Sequence, residues 1–82
     1  MKKENLIETI HYKTGYDNPE EANKEYFDLE NELKEKGKRT SGGWEGDFWI
    51  DVYEMDSKIY RVSFDWEYGI PYSIEIYKKE NL

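Results

Sequence analysis

Between residues 48 and 76 apolar side chains fall on even-numbered positions in three successive runs: Phe48, Ile50, Val52; then Tyr60, Val62, Phe64, Trp66; then Ile70, Tyr72, Ile74, Ile76. A period of two marks strands with one buried face, and no helix reproduces it. The gaps between the runs predict two hairpins with three-residue loops, Met55-Asp56-Ser57 and Glu67-Tyr68-Gly69, with Gly69 in the left-handed position such loops favour. Loops of that length keep even positions opposite even positions. The expected core layers are then Phe48/Phe64/Tyr72, Ile50/Val62/Ile74 and Val52/Tyr60/Ile76, in a meander against which helices pack.

The first half of the chain reads as helical. Leu6, Ile7 and Ile10 share a face of a short helix over about residues 4–14, closed by Gly15. Asn18-Pro19-Glu20-Glu21 is an N-cap followed by a first-turn proline and acids suited to the positive end of a helix dipole. From it a second helix, about 19–36, runs to Gly37 with Ala22, Tyr26, Leu29 and Leu33 as its buried stripe and Phe27 at the edge. Glu20 with Lys24, Glu30 with Lys34 and Glu32 with Lys36 are helical neighbours on its solvated side. Residues 38–46, Lys-Arg-Thr-Ser-Gly-Gly-Trp-Glu-Gly, show no periodicity and read as a connector; the spacing of a phosphate-cradling loop is missing from them. The fold class expected is α+β, two N-terminal helices on a three-stranded antiparallel meander (ααβββ), with the sheet spanning about 47–78 of a single 1–82 domain.

Charge and aromatic content narrow the function. The segment from Trp44 to Tyr77 holds ten of the fourteen aromatic residues, with eight carboxylates against Lys58 and Arg61, and carries −6 of the chain's net −7. So acidic a surface disfavours direct binding to DNA or RNA, where affinity comes from Lys and Arg neutralising phosphates. It suits a basic protein partner instead. With no cysteine, thiolate chemistry, Cys-type zinc sites and disulfides are excluded. Met1-Lys2-Lys3-Glu4-Asn5 precedes only scattered apolar residues, so neither a signal peptide nor a membrane span is expected, and the expected compartment is cytoplasmic.

On the odd-numbered face the expected register sets Arg61 between Asp51 and Glu75, where its guanidinium pairs across both ladders. Tyr53, Ile59 and Tyr77 form a second outer row, and Trp49, Ser63 and Ser73 a third. Three explanations for these aromatics stand open: the helices cover this face rather than the even one, the N-terminal helix lies across it, or it binds another protein. At one end Asp47 is expected opposite Asp65, near Glu45, Glu67 and all three tryptophans. Such acids either face water and guard the strand ends, or bind a cation or share a proton. His11, with no second histidine, reads as a half-buried helix residue. No catalytic or cofactor motif is present; neither an enzyme nor a bound cofactor or metal is expected.

The run Asp56-Ser57-Lys58-Ile59-Tyr60-Arg61-Val62-Ser63-Phe64-Asp65, followed by Gly69, resembles a strand near the end of the small acidic immunity proteins of ribonuclease-type colicins. In size, acidity and antiparallel sheet the chain is similar to that family, whose members block a nuclease by presenting carboxylates and aromatics to its basic surface. It departs in the two helices expected where the family has mostly sheet. Its composition also resembles small phage-encoded inhibitors, among them anti-CRISPR and anti-restriction proteins. The function expected is a non-enzymatic inhibitor of a basic, nucleic-acid-processing protein, acting through Trp49, Tyr53, Asp65, Glu67 and Tyr77. The alternative is a structural or regulatory module that self-associates, for example as a homodimer, through the open sheet face or an exposed edge strand. Strict mimicry of DNA fits poorly, because alternate strand residues lie roughly 6–7 Å apart whereas duplex DNA carries a charge about every 1.7 Å of axis.

Overall fold

A computed structural model describes residues 5–79. Five strands form one antiparallel sheet: β1 (Leu6–His11), β2 (Lys38–Glu45), β3 (Phe48–Met55), β4 (Lys58–Asp65) and β5 (Ile70–Lys78), in the order β1-β5-β4-β3-β2. One helical region, α1 (Pro19–Ala22) and α2 (Lys24–Lys36), crosses a single face. The expected ααβββ fold is therefore corrected to a five-stranded sheet with one helical region.

The helix expected at about 4–14 is strand β1, with Glu4 outside the described residues. Ile7, Thr9 and Ile10 are β-branched, and β5 offers an open edge on which Glu8 pairs with Ile76, Ile10 with Ile74 and His11 with Ser73. Backbone pairing with a distant strand outweighs a short local helical stripe. The connector expected at 38–46 is strand β2, paired along β3 from Lys38 opposite Glu54 to Glu45 opposite Phe48, with a bulge between Arg39 and Ser41. Glycines and an exposed edge leave no alternating pattern to read there, since the ladder needs only backbone groups.

The second helix begins as its cap predicts: Asn18 Oδ1 accepts the Glu21 backbone N–H at 3.3 Å. It is not continuous. Asn23 leaves helical geometry (φ −118°, ψ 32°) and, only 3% exposed, turns its amide onto the preceding loop. Its Oδ1 accepts the Lys13 N–H at 2.7 Å, and its Nδ2 donates to the carbonyls of Lys13 at 2.9 Å and Pro19 at 3.0 Å. The break takes Glu20 out of register with Lys24, which pairs instead with Asp28 at 2.5 Å; Glu30 and Lys34 pair at 3.6 Å as expected. Gly37 closes α2, donating its N–H to Leu33 O at 2.8 Å, where an added Cβ would lie 2.6 Å from that oxygen.

Tyr26 and Leu33 on α2 pack on Tyr60, Val62, Ile74 and Ile76, with Ile10, Phe27, Leu29, Tyr53 and Met55 around them. Tyr60, Val62, Ile74 and Ile76, at even positions of β4 and β5, are thus buried as expected, but β3 is inverted. Its turn holds two residues rather than three, Asp56 and Ser57, at φ 51° and 63°, and Met55 pairs directly with Lys58. Such a turn matches the twist of a two-residue hairpin, and one residue fewer moves every β3 side chain to the other face. Phe48, Ile50 and Val52 therefore lie on the face away from the helix, and Trp49, Asp51 and Tyr53 on the helix face. At β5 the loop is Trp66 to Gly69, one residue longer than expected, with Gly69 at φ +67°. An extra residue at the bulge beside Phe64 restores Val62 opposite Ile74 and Tyr60 opposite Ile76. Tyr72 consequently turns away from the core layer, and its ring meets Phe48 at 4.9 Å and His11 at 6.3 Å. His11 is an exposed strand residue rather than a half-buried helical one.

Candidate protein-binding site

The inversion of β3 distributes the charges. Asp51 is on the helix face, away from Arg61, and its Oδ1 accepts Arg39 Nε at 2.9 Å and Trp49 Nε1 at 3.0 Å. Arg61, on the other face, holds Glu75 at 2.7 Å as expected and takes Glu45 of β2 as its second partner in place of Asp51. Partial burial lowers the proton affinity of this guanidinium, but the hydrogen bonds and charges of Glu45 and Glu75 outweigh it and raise its pKa above the ordinary arginine value.

α2 covers the middle of its face and leaves one end bare. There β2, β3 and the end of β4 stack Trp44 on Trp49 (centroids 5.2 Å apart), Trp44 against Trp66 (5.9 Å) and Trp66 against Phe64 (5.4 Å), edge to face. Trp44 is 62% and Trp66 59% exposed. Beside them runs a groove of about 200 Å³ lined by Glu30, Lys34, Trp49, Asp51, Tyr53, Val62, Phe64 and Trp66. The Trp66 N–H donates to Asp47 O at 3.0 Å and ties the β2–β3 turn to the β4–β5 turn. Four carboxylates, Glu45, Asp47, Asp65 and Glu67, are carried by these two turns and the strand ends entering them. Asp65 stands opposite Phe48, one position from the expected Asp47, and its Oδ1 accepts the backbone N–H groups of Glu67 at 3.0 Å and Tyr68 at 3.3 Å. It is a turn-closing carboxylate. Among the described residues no three His, Asp or Glu side chains converge as a metal-binding group.

The five residues expected to share one partner surface are divided. Trp49 and Tyr53 line the groove on the helix face, Asp65 is on the opposite face, and Glu67 is exposed in the β4–β5 turn. Tyr77, 8% exposed, pairs with Ile59 and Leu6 on the face away from the helix. Burial and then Glu75 raise the pKa of its hydroxyl. Trp44, Trp66 and Phe64 were not among the five; the signal for them was the coincidence of three tryptophans with the acidic strand ends, but Trp44 reaches Trp49 only once 38–45 is a strand.

Across α2 lies a second cleft, of about 650 Å³, floored by Ile10, Leu29 and Ile76 and walled by Glu8, Glu25, Asp28 and Glu32, with Lys24 on Asp28. It carries no aromatic ring. No helix among the described residues is long and apolar enough to cross a membrane. Comparison with known proteins returns no family model, no curated protein and no solved structure that matches the chain.

Proposed function

We propose that this chain is a non-enzymatic protein that binds and blocks a basic, nucleic-acid-processing protein through the tryptophan end of its sheet, in the cytoplasm where such partners work. The observation that carries this reading is the edge-to-face cluster Trp44–Trp49–Trp66, two of whose rings are more than half exposed beside a groove and four carboxylates. Large aromatic rings beside a pocket are the usual anchors of protein interfaces, and tryptophan heads the residues whose truncation costs most affinity. The carboxylates steer a basic partner, as expected from a chain of net charge −7. Glu45 is already engaged with Arg61, which leaves Asp47 and Glu67 as the outward charges and Asp65 as the residue that shapes the turn carrying Glu67.

Affinity capture on the immobilised chain, followed by assay of the captured protein's activity on nucleic acid, tests this. Trp44→Ala with Trp66→Ala is expected to speed dissociation, and Asp47→Lys with Glu67→Lys to slow association and flatten its salt dependence. The matched control reverses Glu25, Asp28 and Glu32 in the second cleft. Loss of inhibition in that control, with both sheet variants intact, rejects the tryptophan end.

A further inference from the structure

The outer edge of β2 is the second feature built for pairing. β2 has one neighbour, β3, and its Ser41, Gly42, Trp44 and Glu45 are exposed. Natural sheets guard such edges with Lys, Pro, bulges or a covering element. Here the guards are confined to the two ends, Lys38, Arg39 and the bulge between Arg39 and Ser41 at one and Glu45 at the other; residues 41–44 carry none. The strand is also polar in charge, basic at Lys38-Arg39 and acidic at Glu45-Gly46-Asp47.

We infer that β2 pairs antiparallel with β2 of a second copy of this chain about a two-fold axis at Gly43. That register sets Ser41 opposite the partner's Glu45, Gly42 opposite the partner's Trp44, and Gly43 opposite itself, keeping each pair on one face of the joined sheet. Antiparallel pairing brings the basic end of each strand to the acidic end of the other, so the charges match twice. The glycines fit the same arrangement. A Cβ at Gly42 would collide with the Arg39 guanidinium, which lies across the strand to reach Asp51 at 2.9 Å. The partner's Trp44, directly opposite and on the same face, stacks over that guanidinium as a cation–π contact. Nothing stands within 4 Å of where a Cβ at Gly43 would point, so the axis is open. The interface uses the same patch on both copies, which closes the assembly at a dimer.

Sedimentation equilibrium of the purified chain from micromolar to millimolar concentration is expected to give twice the 10.0 kDa chain mass at the upper end. Arg39→Glu and Asp47→Arg should each weaken dimerisation at least about tenfold, and the two together restore it. The absence of native cysteine allows a positional test: facing residues of an antiparallel pair have Cα atoms about 4.5–5.5 Å apart, within disulfide reach. Gly43→Cys should therefore cross-link rapidly under mild oxidation, whereas Glu35→Cys on α2 should not. A wild-type monomer throughout, or a dimer whose Gly43→Cys variant cross-links no faster than the control, overturns the pairing. Circular dichroism of each variant separates lost pairing from lost folding, and the wild-type mass needs no variant. The pairing takes Trp44 and Asp47, which the proposed function gives to the basic partner, so the two occupants compete for one edge; a monomer that still captures and blocks a basic protein overturns the pairing alone and leaves the proposed function standing.

Discussion

The amide of Asn23 holds the junction of loop, α1 and α2, and its removal should be among the costliest polar substitutions in this chain. Three hydrogen bonds converge on it at 2.7, 2.9 and 3.0 Å. Asn23→Ala leaves the N–H and C=O of Lys13 without partners in a half-buried site; the carbonyl of Pro19 keeps the Asn23 backbone N–H at 3.0 Å. Two orphaned backbone groups at about 1–3 kcal/mol each, taken toward the lower end because water reaches part of the site, give about 2–4 kcal/mol. Against the roughly 4–12 kcal/mol expected for a chain of this length, that is a large fraction. Urea unfolding should show the loss as a lower midpoint at unchanged slope, and the thermal midpoint should fall by about 10–25 °C. Asn23→Asp keeps the acceptor for Lys13 N–H but turns a carboxylate toward two carbonyls, and should cost about as much as alanine. The exposed cap variant Asn18→Ala, expected to cost about 1 kcal/mol, is the internal standard. An Asn23→Ala loss no larger than the Asn18→Ala loss would refute the latch.

Tyr26 presents the opposite case: its hydroxyl is buried with no hydrogen-bond partner among the described residues, while its ring packs edge to face on Tyr12 and Phe27. Tyr26→Phe should stabilise the protein by about 1 kcal/mol in urea unfolding, and a comparable loss would show an unseen partner. Burial first, then Glu30 and Tyr12, raise the pKa of that hydroxyl, so the unfolded chain ionises first and stability declines as pH rises past the ordinary tyrosine value of 10.0. Above that pH Tyr26→Phe should decline less steeply, by up to about 1.4 kcal/mol per pH unit. For Arg61, double-mutant cycles should find coupling of about 1 kcal/mol with Glu75 and a smaller value with the more exposed Glu45. Coupling with Asp51 should be absent, and its presence would contradict the β3 register.

What the chain alone determined is whatever depends on neighbours in sequence. The Asn18 cap, the Tyr26–Leu33 stripe, Gly37 at the helix end and the three alternating strands are local patterns of spacing 3.6 or 2. The Arg61–Glu75 pair followed from one correctly placed ladder. Pairing between distant segments decided the rest. β1 carries a short helical stripe that loses to the open edge of β5, and β2 has almost no apolar side chains, so only the backbone of β3 makes it a strand. The Asn23 break required Lys13, ten residues away, to receive the amide. Most consequential was a turn one residue shorter than the spacing suggested, because strand side chains alternate with a period of two and a single residue exchanges the faces. It moved Trp49, Asp51 and Tyr53 to the helix face, gave Asp51 to Arg39 and Glu45 to Arg61, and set three tryptophans together at the bare end of the sheet. Composition placed aromatics and acids in one half of the chain; tertiary pairing decided which face each would occupy, because register is a property of two strands and is written in neither alone.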